Sequence, residues 1–450
     1  MLQSNTNDQL IHSLRDIEGR GGTEFWSFQR SGVRRGAHAL LHYPAMMVPD
    51  LQRTILASIC ESAPDTQSVL DPFVGSGTVL VEAMQMGLDF CGVDINPLAG
   101  LACLAKAGPY FVNAFDEKQA RLISNIRADL RTYVPREFKG REKWFSNDTS
   151  ASLEKISSHI RAESSLWARR LFWLALCRVV RANSNSRMST YKLHKKAEVD
   201  CTLNVDPITG FEKALSLFST NLEYQRVRLR DAGLLNRGWY QGELEIQISD
   251  NSILTEPQFQ DRKFDVVMTS PPYGDNRTTI PYGQFAYLPL HWIDLPDIQE
   301  DIDQSLLAST HATDSASLGG SLRSVKEKID ELTSISEHAR EFIRTIETTD
   351  SDGVKRFGSF FFDFMKSVER ISNCTASGGY QVWTTGNRRI AGKLVPMDDL
   401  LAEIMDENGV EVIGKIHRDI HYKKMARRNK SSDTMTSETI VLGRKRQTVE

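Results

Sequence analysis

The run Phe264-Asp265-Val266-Val267-Met268-Thr269-Ser270-Pro271-Pro272-Tyr273 begins as an apolar, strand-like segment and stops at two prolines. Consecutive prolines cannot continue a hydrogen-bonded ladder, and they hold the backbone extended. Their carbonyls stay available as acceptors, Ser270 adds a hydroxyl, and Tyr273 offers an aromatic face. Such a cluster suits an amine attached to a planar ring, whose lone pair is delocalised until hydrogen bonds draw on both N–H groups. Ser270, Pro271, Pro272 and Tyr273 are therefore the candidate catalytic residues.

A second stretch suits a nucleoside-like ligand. In Asp71-Pro72-Phe73-Val74-Gly75-Ser76-Gly77-Thr78 a strand runs through a glycine-rich turn into a helix. Glycines let the backbone turn tightly and approach a ligand. The free N–H groups of a helix starting near Thr78 favour a carboxylate. No lysine of the GxxxxGK[ST] type is present, which excludes the usual triphosphate loop. The next strand ends in Asp94-Ile95-Asn96-Pro97. An acid at that point, about 20 residues on, is placed to bind ribose hydroxyls.

These residues need a sheet to bring them together. Seven apolar segments read as strands: Ser68–Phe73, Leu88–Asp94, Glu243–Ser249, Phe264–Ser270, Gly379–Thr385, Val410–His417 and Thr439–Gly443. Helical periodicity separates several of them, as in Thr78–Met86 and Gly358–Ile371. The alternation predicts an α/β fold with a doubly wound, mostly parallel seven-stranded sheet, whose ligands sit beyond the carboxyl ends of the strands. The polar connection Arg418–Ser437 suits a reversed final hairpin. Residues 1–110 form the upstream wall and cofactor half, 111–240 a large, mainly helical insertion, and 241–450 the catalytic half with a second insertion at 274–355. Both insertions are candidates for a functional role, because long excursions from a compact sheet usually carry function.

Composition narrows the class. The 450 residues carry a net charge of −3, so any nucleic-acid contact must come from local patches rather than an overall basic character. Arg277 in the polar turn after Tyr273, Lys192 and Lys195, and Arg388-Arg389 are the candidate DNA contacts. A further basic run spans Lys423 to Lys430. The six cysteines contain no CxxC pair and the ten histidines show no ligand spacing, which argues against a metal site or a disulfide framework. No apolar run is long enough to cross a bilayer, and a cytoplasmic protein without a membrane partner is expected.

The two motifs, Asp71-Pro72-Phe73-x-Gly75-Ser76-Gly77-Thr78 and Thr269-Ser270-Pro271-Pro272-Tyr273, resemble the cofactor and catalytic motifs of the amino-group DNA methyltransferases. The Ser-Pro-Pro-Tyr form resembles the N4-cytosine branch of that family. His42-Tyr43-Pro44-Ala45 is similar to the family's upstream cofactor wall, and Asp250-Asn251-Ser252 to the segment that contacts the cofactor adenine. The resemblance implies a Rossmann-like methyltransferase fold and S-adenosyl-L-methionine as cofactor. Tyr43, Pro44, Asp71, Pro72, Phe73, Gly75, Ser76, Gly77, Thr78, Asp94, Ile95, Asn96, Asp250 and Asn251 would hold that cofactor. It also implies double-stranded DNA as substrate, a flipped target base, target recognition by an insertion, with 111–240 and 274–355 as the candidates, and a setting in which a cognate restriction endonuclease can be the partner. A monomer suffices for that reaction. The residues leave open adenine N6 as target, an RNA substrate, and a non-catalytic binding subunit of the same fold.

Overall fold

Alternation along the strands sends side chains to two faces, and each face acquires its own core. Val69, Phe90, Val266, Met268, Val382 and Leu442 point to one side, and Leu70, Cys91, Val93, Val267, Trp383 and Val441 to the other. In the computed structural model the described residues are 1–3, 8–22, 24–28, 33–196, 206–274, 281–386, 388–420 and 436–447. The main sheet has eight strands, β1 (Leu2–Gln3), β2 (Ser68–Asp71), β3 (Asp89–Asp94), β4 (Leu244–Ile248), β5 (Phe264–Thr269), β6 (Thr375–Gly386), β7 (Val410–Asp419) and β8 (Ser437–Lys445). Their order is β1-β7-β8-β6-β5-β2-β3-β4.

Strands β4, β3, β2, β5 and β6 run parallel. β8 lies antiparallel between β6 and β7, which is the expected reversed hairpin. All seven expected strands form. The eighth, β1, pairs with the outer edge of β7, and two residues are too few to show any alternation in the sequence. Successive strands β2, β3 and β4 step to one side, whereas β5 and β6 lie on the other side of β2. The crevice between the carboxyl ends of β2 and β5 is therefore the topological switch point, where open α/β sheets bind ligands.

Helices of eight residues or more are α1 (Gln9–Gly21), α2 (Pro49–Ser62), α3 (Thr78–Gln85), α4 (Pro97–Ala107), α5 (Val112–Ala128), α6 (Asn147–Arg161), α7 (Leu166–Asn183), α8 (Pro207–Asp231), α9 (Tyr282–Leu290), α10 (Val325–Ile335), α11 (Glu337–Ile346), α12 (Ser351–Asn373) and α13 (Met397–Glu407). The region 111–240 is mainly helical, as expected. Its helices bury Phe115, Ile156, Phe172, Trp173, Phe211 and Phe218 in the same core as the first sheet face. α7 buries the continuous run from Leu171 to Cys177, so it is enclosed by neighbours on most sides. The region 274–355 divides between the faces. α9 buries Phe285 and Leu288 in the first core, while α10 and α11 bury Leu332, Phe342 and Ile346 in the second. No helix among the described residues is long and apolar enough to cross a membrane.

Candidate active site

A cavity of about 350 Å³ opens at the carboxyl ends of the central parallel strands. Pro72, Phe73, Gly75, Ser76 and Thr78 reach it from the turn after β2, and Asp94, Ile95 and Asn96 from the end of β3. Asp250 and Asn251 follow β4, Ser270 and Pro272 follow β5, and Tyr43 and Pro44 close the upstream wall. Fourteen of the eighteen residues selected as cofactor-binding or catalytic thus surround one space.

The turn is built around the Asp94 carboxylate. Gly75 N donates to its Oδ2 at 2.9 Å and Asn96 N to its Oδ1 at 2.8 Å. Enclosure raises the Asp94 pKa to about 6, against those two hydrogen bonds, which lower it. Asn96 caps α4 by accepting from Leu98 N at 3.0 Å, and its Nδ2 donates to the Tyr43 hydroxyl at 2.8 Å. The Tyr43 ring stacks on Tyr282, with centroids 5.8 Å apart and planes 25° from parallel.

Gly77 caps α3 with φ +73°, a left-handed conformation, and a Cβ there would meet Cys103 Sγ at 3.0 Å and Leu80 Cδ2 at 3.2 Å. Gly77 lies behind the cavity, so its part is to shape the turn. Gly77→Val is expected to lower unfolding stability by roughly 2 kcal/mol or more, through backbone strain and overpacking. Urea titration checks this value, and calorimetry with S-adenosylhomocysteine should show binding weakened alongside. Wild-type values in both would mean that the turn tolerates a side chain.

Asp71 also sits behind the cavity and is fully buried. Its Oδ1 accepts from Thr269 Oγ1 at 2.6 Å and from Phe73 N at 3.2 Å. Asp71 therefore straps the end of β5 to the glycine-rich turn after β2, and burial lifts its pKa to about 7. Pro271 is buried and lies behind the cavity as well. Tyr273 does not line it: the ring packs against the second core and the hydroxyl shares a 2.8 Å hydrogen bond with Ser270 Oγ. Burial and the nearby Glu438 raise the Tyr273 pKa well above its ordinary value, which keeps the phenol neutral.

The remaining wall was not singled out from the sequence. Tyr282, Thr313, Asp314, Ser317 and Leu318 come from the second insertion, and Phe362, Asp363, Lys366 and Arg370 from α12. Asp314 accepts from Gly283 N at 2.9 Å, and burial raises its pKa to about 6. The aromatic spacing of Tyr282, Phe285 and Tyr287 after the polar turn was a readable signal for the former. Asp314 stands in a stretch without one.

The expected DNA contacts are dispersed. Arg388 donates through Nη1 to the Tyr273 carbonyl at 3.2 Å, so it braces the loop after β5, and its side chain packs on Gly274. Arg389 is exposed and donates to Gly392 O at 2.9 Å. Lys192 and Lys195 lie in the polar segment after α7, which is tied to the upstream wall by the stacked rings of Tyr191 and His42. Arg277 and the Lys423–Lys430 run lie outside the described residues.

Residues 5–99, which hold the Tyr43 wall, the glycine turn and Asp94, match a protein-family model described as DNA methylase. Over 463 aligned residues the chain is 28% identical to the Type II methyltransferase M.MvaI of Kocuria varians, covering 97% of each protein. Over 443 residues it is 22% identical to the Type II methyltransferase M.BsoBI of Geobacillus stearothermophilus, covering 90% of this chain and 84% of that relative. A 42-residue stretch is 45% identical to the Type II methyltransferase M.MjaII of Methanocaldococcus jannaschii, covering 9% of this chain and 8% of that one.

Proposed function

We propose that this chain, a relative of the Type II methyltransferases, transfers a methyl group from S-adenosyl-L-methionine to the exocyclic N4 amine of cytosine in a specific sequence of double-stranded DNA, as the modifying half of a restriction-modification system. The observation that carries this reading is the meeting of the glycine turn with Ser270 and Pro272 at one cavity, on either side of the switch point.

The donor set fits the cofactor. Ser76 Oγ and Asn251 Nδ2 are buried without a hydrogen-bond partner in a wall of that cavity, as groups awaiting a polar ligand are. Asp94 can accept ribose hydroxyls with the lone pairs its two backbone donors leave free. Asn251 can donate to an adenine nitrogen, with its Oδ1 held by Ser367 Oγ at 3.2 Å. When bound, the cofactor supplies the electrophilic methyl group.

The chain's own residues supply orientation and polarity. A stacked base hides its amine, so the target nucleotide must leave the duplex and enter at the strand ends. Ser270 Oγ and the Pro271 carbonyl accept hydrogen bonds from the amine, drawing its lone pair out of conjugation. The rigid Pro-Pro backbone holds both acceptors in place, and most of the acceleration comes from that alignment. Tyr273 can stack on the base only by giving up its hydrogen bond to Ser270. Ser270 heads the motif where the adenine-specific form would carry Asp or Asn, which is the ground for cytosine.

Incubating the purified protein with labelled S-adenosylmethionine and unmethylated DNA, followed by digestion and mass spectrometry, is expected to give N4-methylcytosine. N6-methyladenine would keep the chemistry and move the target. Labelled RNA alone, or no labelled base at all, would overturn the reading.

A further inference from the structure

A buried lysine and a partly buried arginine stand behind the cavity wall, and nothing in the transfer step described above uses them. Lys106 on α4 is 1% exposed, and its Nζ donates to the Ser76 carbonyl in the glycine turn. No carboxylate pairs with it among the described residues. Arg34 donates through Nη2 to the carbonyls of Met46 at 3.4 Å and Met47 at 2.9 Å, both residues of the wall. Its Nη1 is buried and has no hydrogen-bond partner among the described residues.

An ammonium held out of water without a counter-ion is costly and is usually neutralised or paired. Desolvation, with Arg34 nearby, pulls the Lys106 pKa down to about 8, so at neutral pH it still carries its charge. Ser76 is 4% exposed, its Oγ has no hydrogen-bond partner among the described residues, and the N-terminus of α3 adds its positive end. The charge lacks a partner that an anion seated on the turn would provide.

We propose that Lys106, with Arg34 beside it, is the positioning group for the carboxylate of the cofactor's amino-acid end. This rests on the reading of the cavity as an S-adenosylmethionine site. The lysine sits behind the Ser76–Gly77 peptide and acts through it and through space. It thereby fixes which end of the cofactor lies against the turn, and so where the methyl group points.

Of the other groups near Lys106, Asp71 titrates closest to the same range, and it is present in wild type and Lys106→Arg alike. Burial raises Cys103, on the same helix, beyond the range of interest. Asp71 and Asp94, at the ends of β2 and β3, titrate at about 7 and 6. Burial lowers His38, which is bound to Glu82 of α3. The Tyr110 hydroxyl donates to the Lys106 carbonyl, and burial raises its pKa beyond that range too.

The test is calorimetry with two probes, S-adenosylhomocysteine and 5′-methylthioadenosine, which lacks the amino-acid end. At pH 7, Lys106→Met should weaken S-adenosylhomocysteine about ten-fold and leave methylthioadenosine unchanged, the size of one charge acting across a few ångströms of protein. The ligand's own amino group also loses its proton in the alkaline range, so the pH arm compares wild type with Lys106→Arg, which keeps a charge throughout. Because the lysine is charged below about 8 and neutral above it, the wild-type Kd should rise relative to Lys106→Arg by about ten-fold between pH 7 and 9.5. That arm needs only the conservative variant, should Lys106→Met fail to fold. A flat ratio, or equal weakening of both probes by Lys106→Met, would overturn the proposal. A wild-type protein that binds neither probe would instead remove the cofactor reading on which it stands.

Discussion

Ser270→Ala is expected to lower kcat for DNA methylation by about 10²–10³-fold while the Kd for S-adenosylhomocysteine stays within about two-fold, the pattern of an interaction made chiefly in the transition state. The hydroxyl stands at the cavity end of β5, where the rigid prolines leave it facing the ligand space rather than a strand neighbour. Alanine deletes this acceptor and keeps the Pro271 carbonyl. The nucleophile then retains one of its two polarising bonds, so activity falls without vanishing. Alanine also frees the Tyr273 hydroxyl from its 2.8 Å partner. Tyr273→Phe separates the two consequences, because it breaks the same bond and spares the Ser270 acceptor. Its loss in kcat should be the smaller of the two. Single-turnover kinetics with a short duplex, alongside calorimetry, decides the matter. An equal loss of cofactor affinity in Ser270→Ala would assign the serine to the cofactor wall instead.

The largest effect on binding is expected from Asp94→Ala, at about a hundred-fold in Kd for S-adenosylhomocysteine, because it removes a charged acceptor for hydroxyls and the anchor of the turn together. The carboxylate holds Gly75 N and Asn96 N at once. Its pKa of about 6 gives this binding a pH dependence. The ionised form, which accepts hydroxyls, is full above that value, so affinity should fall as pH drops through about 6. Stability moves the other way. The pKa rises on folding from 3.8, so the folded protein holds a proton that the unfolded chain has released across pH 3.8 to 6. Stability therefore declines as pH increases over that window. Asp94→Asn should flatten both dependences. A wild-type Kd that does not change between pH 5 and 7 would mean that Asp94 is not a ligand group.

Much of this site could be read before any coordinates, and the reason is local. Asp71 to Thr78 and Ser270 to Tyr273 are unbroken segments whose glycines and prolines impose their own backbone shapes. The strands that carry them are apolar runs bounded by turn residues. Their carboxyl ends must face ligand in a parallel sheet, whatever lies elsewhere. Tyr43, Asp94 and Asn251 were reachable too, since each stands at or beside the end of such an element.

What eluded the sequence is set by contacts between distant residues. Asp71 reads as a ligand group within its own motif, yet its carboxylate faces Thr269 across the switch point, which the strand order alone arranges. Lys106 looks like an ordinary last-turn lysine of α4 until the fold buries it beneath Ser76. Tyr282 and Asp314 join the wall because the second insertion passes from one sheet face to the other, and no local pattern reports a path between two cores. The residue types and their chemistry belong to the linear chain. The pairing of donors, acceptors and buried charges belongs to the packed sheet, because burial and partner choice arise only once remote segments exclude water together.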